Sequence, residues 1–393
     1  MTTPITRSWQ KLSLALLIIF GSVLGQSATA RDRDWQPQHT WVFVVGILQW
    51  QHEDYFDSFP QKNRRDTQLV EYFRQQGVPA AQLVFLKDSQ ATTNRVGNTF
   101  ASFISKAGPE DLLIVYYTGH GYKSEDERTT YFATYDTGED VDGWPTESIV
   151  SDIEKHFKGS RALLTADTCF SGALGQDARK LGRRVSYAVL SSATANHTST
   201  ENWTFTEMLL AGLRGKPFAD LNSDGEVTLS ELAEDIKEDM AFAENQSAVF
   251  LTTGNFQPEM ALAAAPRKVD PLISSRLEVR SDGDWYKARV IDVRGDSCRV
   301  HYFGFEDSDD EWVTRRQMRI PPRLAGEKSG NEWRWSNEYR PGANVEVSWH
   351  GQWYAARILE GESGRHLVHY VGYDDSWNEW VNDQRIRRPS WNN

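Results

Sequence analysis

Two stretches decide how this chain is read: Ile114-Val-Tyr-Tyr-Thr-Gly-His120-Gly121 and Leu163-Leu-Thr-Ala-Asp-Thr-Cys169-Phe-Ser-Gly172. In each, an apolar run stops and a reactive side chain follows among small residues. A short apolar run of this kind reads as a strand buried on both faces. In a parallel sheet, residues just past the carboxyl ends of neighbouring strands converge on one crevice. The chain between His120 and Cys169 is long enough for a crossover between the two strands, so the two side chains are expected to meet.

The same texture extends on both sides. Further strand-like runs are 41–48, 82–86, 187–192 and 248–253, and the two above extend over 111–117 and 161–166. Amphipathic stretches alternate with them: Asp66 to Gln75, Thr92 to Lys106, Glu147 to Phe157, Thr204 to Leu213 and Leu229 to Phe242. Strand then helix, repeated, predicts an α/β/α sandwich with a mostly parallel sheet over 38–257. The 393 residues leave room for further domains. Two cysteines exclude a disulfide scaffold.

The paired strand ends carry a chemistry. A thiol ionises near pH 8.5. An adjacent imidazole takes its proton and leaves a thiolate nucleophile. The thiolate attacks a peptide carbonyl, and His120 then protonates the leaving amine. The oxyanion needs fixed donors; the backbone N–H groups of Gly121 and Cys169 are the candidates. An isolated cysteine is ordinarily a small buried hydrophobe. Here both reactive residues stand at strand exits, hemmed in by Gly, Ser or Thr.

On these residues the half from about 40 to 256 resembles the caspase-like (clan CD) cysteine peptidases, most closely the bacterial metacaspase-like members. The carrying motifs are Thr118-Gly119-His120-Gly121 and Asp167-Thr168-Cys169-Phe170-Ser171-Gly172. The resemblance implies a caspase-like fold and endopeptidase activity through a Cys–His dyad and an acyl-enzyme. It implies that Asp167 lines the first specificity pocket and selects Arg or Lys before the scissile bond. Family members often carry a second acid after the next strand; here 191–203 offers Glu201 alone. Arg64 and Arg65 lie roughly where true caspases carry a pocket arginine, which leaves a preference for acidic residues as the alternative. Arg179-Lys180 and Arg183-Arg184 lie where caspase-like chains carry a processing loop, so autoprocessing there is a hypothesis.

Residues 220–231, DLNSDGEVTLSE, match the calcium-loop pattern D-x-[DN]-x-[DN]-G-x5-E throughout. The expected oxygen ligands are Asp220, Asn222, Asp224, the Glu226 carbonyl, Thr228 and Glu231. Val227 is expected to pack inward. Calcium is the expected cofactor; no organic cofactor is expected.

After a linker at 258–272 the texture changes. Nine of the 15 tryptophans lie beyond Asp270. Residues 277–321 and 345–389 align without a gap, with 18 of 45 positions identical. Each copy reads as four or five short antiparallel strands, a small SH3-like barrel. The modules are expected at 273–322 and 341–390. On Trp285-Tyr286, Val300-His301-Tyr302 and Glu311-Trp312-Val313, and their counterparts in the second copy, they resemble Tudor-knot or chromo-barrel modules, with Agenet relatives. That resemblance implies aromatic cages for a cationic side chain. The candidates are Tyr286, Tyr302, Phe305 and Trp312, then Tyr354, Tyr370, Tyr373, Trp377 and Trp380.

Residues 1–30 read as an export signal: Arg7 and Lys11, an apolar run, then Ala28-Thr29-Ala30. The mature chain is expected outside the cytoplasm, periplasmic or secreted, without a membrane span. A net charge of −12 speaks against a nucleic-acid partner. Expected partners are a protein or peptide substrate and a protein or cell-wall ligand of the barrels. The competing reading is a non-catalytic caspase-like scaffold that recruits partners through its barrels. The oligomeric state is open.

Overall fold

Six apolar runs form one sheet, the central four buried on both faces and the two edge strands partly exposed. Residues 42 and 44 of β1 (Thr40–Gly46) pack into one core, and 41, 43 and 45 into the other. The remaining strands are β2 (Leu83–Lys87), β3 (Leu112–Thr118), β7 (Arg161–Asp167), β8 (Ser186–Ser191) and β10 (Val249–Thr252), in the order β10-β8-β7-β3-β1-β2. All pairings are parallel except β10 with β8. This is the mixed α/β region with a mostly parallel sheet that the alternation predicts.

The computed structural model describes residues 35–200, 202–266, 270, 272–319, 344–349, 352–362, 365–371, 377–382 and 385–387. The 1–30 signal, Glu201 and Tyr373 lie outside the described residues. Among those described, no helix is long and apolar enough to cross a membrane.

Helices cover both faces. On one lie α1 (Arg65–Gln75), α5 (Thr204–Leu213) and α6 (Leu229–Asp239). On the other lie α2 (Thr93–Ile104), α3 (Thr146–His156) and α4 (Ala173–Leu181). Helix α4 follows the cysteine directly and was not among the expected helices. Its sequence, ALGQDARKL, is short and opens without a strong capping residue. Also unforeseen is a small sheet formed by β4 (Gly121–Lys123), β5 (Thr130–Phe132) and β6 (Trp144–Pro145).

The expected linker carries structure. Within it, β11 (Ala261–Ala264) pairs antiparallel with β9 (Glu226–Thr228). Beyond it, β12 (Arg276–Ser281), β13 (Asp284–Arg294), β14 (Ser297–Tyr302), β15 (Glu311–Thr314) and β16 (Met318–Arg319) form a five-stranded sheet. The second copy repeats it with β17 (Asn344–Trp349), β18 (Gln352–Glu362), β19 (Arg365–Tyr370), β20 (Glu379–Asn382) and β21 (Ile386–Arg387). Repeated cation–π pairs brace equivalent corners: Arg319 over Trp285 and Arg387 over Trp353, each at 3.9 Å.

The first barrel is joined to the α/β domain through buried charge. Arg289 is fully buried and holds Asp235 at 2.7 Å and Asp239 through a short contact. Arg276 bonds Asp239 at 2.7 Å and Asp235 at 2.8 Å. Phe303 joins the same hydrophobic core as α1, α5 and α6.

Candidate active site and binding clefts

The register of β3 on β7 places Thr118 opposite Asp167. His120 and Cys169 each stand two residues beyond that pair, so the two chains leave the sheet side by side. Thr168 Oγ1 donates to the Gly119 carbonyl at 2.7 Å and ties the exits together. A Cβ on Gly121 would lie 2.2 Å from the Cys169 carbonyl oxygen. Only glycine permits that approach, so Gly121 is the packing surface on which the cysteine turn rests.

His120 sits among three aromatic rings from the segment after β1. Its ring centroid lies 4.6 Å from Trp50, 5.2 Å from Phe56 and 4.4 Å from Phe59. Its Nε2 lies 2.9 Å from the Asp57 carbonyl oxygen. A carbonyl can only accept, so Nε2 carries the proton and Nδ1 is the basic nitrogen. The sequence reading missed this wall. Its signal is the aromatic run Trp50, Tyr55, Phe56 and Phe59 just beyond a strand's carboxyl end.

Cys169 is half-buried, and its Sγ accepts the Ser199 N–H at 3.2 Å. Phe170 adopts a left-handed φ of 57° and donates its N–H to the His197 carbonyl at 2.8 Å. The cysteine lies three residues before the cap of α4, Gly172. A hydrogen-bond donor and a nearby helix N-terminus both favour thiolate over thiol.

Asp167 is buried and accepts from Thr206 Oγ1 at 2.6 Å. Burial pushes its carboxyl up to about 6, against the hydrogen bonds of Thr206 and Ser192, and the charge of Glu244 adds to the rise. Glu244, at the end of the turn 240–244, accepts from Asn202 Nδ2 at 3.1 Å and from Thr204. It is a second acid beside Asp167, where the sequence offered only Glu201. No motif spacing reveals it, since it arrives from beyond α6.

The two pocket-arginine candidates are engaged elsewhere. Arg64 binds Asp66, Asp88 and the Gly46 carbonyl, at 2.6, 2.5 and 2.9 Å. Arg65 bridges Glu207 at 2.5 Å and Asp307 of the first barrel at 3.2 Å. Both arginines are buried, so the alternative preference for acidic residues loses its residues. The proposed processing sites also change character. Arg179 and Lys180 lie within α4. Arg184 binds the carbonyls of Gly159, Ile153 and Glu154 at 3.1, 3.0 and 3.0 Å.

Residues 220–231 form a tight, internally bonded loop. Buried Asp220 accepts the N–H groups of Ser223 at 2.7 Å and Gly225 at 3.0 Å. Gly225 takes φ 99°. Glu231 accepts from the backbone N–H of Asn222 at 3.1 Å and of Thr228 at 3.0 Å, closing the loop onto the start of α6. The donor set is all oxygen, which suits calcium. Val227 is fully buried, as expected. EF-hand loops usually pair with one another; here β9 pairs with β11 instead.

In the first barrel Tyr286, Tyr302 and Phe305 form three mutually upright walls. Centroid spacings are 6.0 Å, 5.6 Å and 6.0 Å, with interplanar angles of 78°, 88° and 65°. Phe305 is exposed, but Tyr302, expected in the cage, is buried in the core of its sheet with its hydroxyl donating to Glu311 at 2.7 Å, because its ring fills the small apolar interior. Trp312 is not among these walls; it stacks with Arg294 at 4.6 Å. In the second barrel Tyr354 and Tyr370 stand 6.3 Å apart at 87°. With Trp377 they line a cleft closed by Gly172, Thr194, Ala195 and β10. Trp380 is half-buried on β20. Arg385 holds Glu379 at 2.7 Å; the aligned residue in the first barrel is Gln317.

A family model described as Agenet domain matches residues 275–323 and 342–391. No curated protein matches the chain. Among solved structures, the chain is similar to a protein from Geobacter sulfurreducens, at 13% identity. The match covers 58% of this chain and 99% of that one, with a TM-score of 0.40. It is similar also to the tandem Agenet domains 3-4 of ADCP1, at 18% identity. That match covers 30% of this chain and 81% of the other, with a TM-score of 0.13.

Proposed function

We propose that this chain, whose C-terminal barrels are two Agenet domains, is a cysteine endopeptidase that cleaves after Arg or Lys. The observation that carries the reading is the β3–β7 register, which sets His120 and Cys169 at matched positions beyond one strand pair. Nδ1 of His120 takes the thiol proton. The Cys169 thiolate attacks the scissile carbonyl, and His120 returns the proton to the leaving amine. Water then hydrolyses the acyl-enzyme. The test is incubation of the purified mature chain with a peptide library varied before the scissile bond. Cleavage after Arg or Lys is expected; a folded, reduced chain that cleaves nothing overturns the reading in favour of the scaffold.

Asp167 supplies the selectivity. Its carboxyl titrates near 6, so the anion that pairs with a basic side chain exists above that pH. Cleavage after Arg is therefore expected to fall as pH drops through about 6. A substrate with Gln at that position controls for titration of the dyad. The same shift costs stability. A carboxyl raised above its unfolded value, near 3.8, stabilises the fold fully below that value and loses the contribution as pH rises through 6. Asp167→Asn is expected to stabilise the chain at pH 7.5 by about 2–3 kcal/mol while erasing the preference for Arg. Urea unfolding reads the first effect and the peptide library the second. A residue kept at such a cost fits a binding role.

The 220–231 loop would hold calcium through Asp220, Asn222, Asp224, the Glu226 carbonyl, Thr228 and Glu231. When bound, calcium would offset two of the three carboxylate charges, and Glu231 would tie it to the start of α6. Millimolar calcium outside the cell suits an exported chain. Saturating calcium is expected to add about 2–3 kcal/mol if present at ~100 times its dissociation constant. Glu231→Gln is expected to remove that gain, and thermal melts with calcium or chelator check it. The Agenet domains act as a protein-interaction module, with exposed Phe305 and half-buried Tyr286 as the ligand-facing surface of the first.

A further inference from the structure

The second barrel touches the loop that holds the nucleophile's turn. The Trp377 ring meets His197 edge-on, with centroids 5.8 Å apart at 82°. His197 Nδ1 bonds Thr194 Oγ1 at 2.5 Å, and its carbonyl accepts the Phe170 N–H at 2.8 Å. Phe170 follows Cys169 and is left-handed, a conformation that a bulky residue keeps only where its surroundings impose it. Two residues beyond His197, Ser199 donates its N–H to Cys169 Sγ at 3.2 Å. Ser199 Oγ is itself held by Ser192 at 3.1 Å and Gln246 at 3.3 Å.

The docking has a second anchor, Arg365 to Glu234 at 3.1 Å. The contact also separates the repeats. The residue aligned with Trp377 in the first barrel is Asp309, which caps a turn there through a bond to the Glu306 N–H at 3.0 Å. The second barrel thus carries a large aromatic side chain where its sister does not, and uses it on the loop beside the thiol.

We propose that Trp377 is a positioning residue for Cys169: by bracing His197 it keeps the Ser199 N–H on the sulfur, so the second barrel sets the reactivity of the thiol. A donor held at Sγ stabilises thiolate relative to thiol. Titratable groups around Cys169 among the described residues are Tyr117 and His120 from the β3 exit, Lys123 from β4 beside Phe170, and His197 from the loop. Trp377 meets one of them, His197, and changing Trp377 removes none of their charges. The inference rests on the proposed peptidase for its biological meaning, but its test reads the thiol directly.

The test is the rate of iodoacetamide alkylation of Cys169 in the full chain, followed across pH by peptide mass spectrometry. Trp377→Ala is expected to slow alkylation at pH 6.5 by about three- to tenfold, the scale of one ordinary hydrogen bond and so of a loosened, not abolished, bond to the sulfur. The limiting rate at high pH should be unchanged, and Trp377→Phe should restore the profile. Arg365→Ala loosens the same docking from its other anchor and should shift the profile the same way. Either loosening variant leaving the profile unchanged overturns the proposal. Faster alkylation also overturns it, because the barrel would then only shield the sulfur. A shifted profile in a chain that cleaves no peptide would sink the proposed activity and leave this contact standing.

Discussion

Cys169→Ala is expected to lower peptide cleavage by at least about 10⁴-fold, and His120→Ala by about as much. On the proposed mechanism the thiol supplies the attacking atom, and nothing else at the β3 and β7 exits replaces it. The imidazole both activates the sulfur and protonates the leaving amine, so its loss stalls both ends of the acylation step. The two residues act as one unit. The double variant should therefore be no worse than either single one, whereas independent contributions would multiply. Steady-state kcat/KM on an Arg-containing peptide gives all three values. A double variant far slower than both singles would mean that His120 acts on some group other than Cys169. Retention of activity in Cys169→Ala would remove the thiol from the mechanism altogether. Residual cleavage should survive at a low level, because the pocket and backbone donors still bind the substrate.

The strand ends were legible because buried parallel strands need unbroken apolar runs, and such runs are visible in a single sequence. The adjacency of the two strand exits follows from topology, so it is legible in the chain itself. What surrounds the two exits is not. The Asp57 carbonyl that sets the His120 tautomer is a backbone atom without a sequence signature. Trp50, Phe56 and Phe59 read equally well as core residues of a loop. The charge of Glu244 acts on Asp167 only because the turn after α6 comes back to Thr204 at the start of α5. Arg64 and Arg65 illustrate the opposite error: their position suggested a pocket, yet each is satisfied by carboxylates that no spacing rule connects to it.

The barrels show the same limit from another side. The repeat was plain, and so were its short antiparallel strands, because both follow from periodicity. The docking of each barrel was not. Arg289 and Arg357 occupy equivalent positions in the two copies. One is fully buried against Asp235 and Asp239, and the other is exposed. Identical residues thus take opposite environments, since the partner surface belongs to α6 and not to the repeat. The first barrel is consequently a lobe of the α/β domain and not a module on a tether. Its His301 makes the same point. It is buried between Asp310, at 2.7 Å, and Glu207, at 3.4 Å, and these acids hold its imidazole protonated by raising it to about 10 against the pull of burial.

That lobe predicts the largest loss of stability in the chain. Arg289→Ala is expected to destabilise the α/β–barrel unit by about 3–5 kcal/mol. The cost comes less from lost attraction than from what is left behind. Asp235 and Asp239 are buried to within 1%, and one arginine must then serve two carboxylates. Asp239 is already pushed up to about 6 by burial, although Arg289 and Arg276 pull it down. Without Arg289 it rises further and takes up a proton on the acid side. The native state then binds a proton that the unfolded state, titrating near 3.8, does not hold. The destabilisation should therefore be larger at pH 8 than at pH 5. Arg289→Lys should rescue only part of it, because a point charge cannot bridge two carboxylates as a planar guanidinium does. Replacing Arg289 by Met together with Asp235→Asn and Asp239→Asn should recover part of the loss, since neither buried carboxylate is then stranded and Arg276 keeps Glu238. Urea unfolding at the two pH values measures each variant. A pH-independent loss of less than about 1 kcal/mol would mean that the network is hydrated in solution and that the barrel is held to α6 by Phe303 and its apolar neighbours alone.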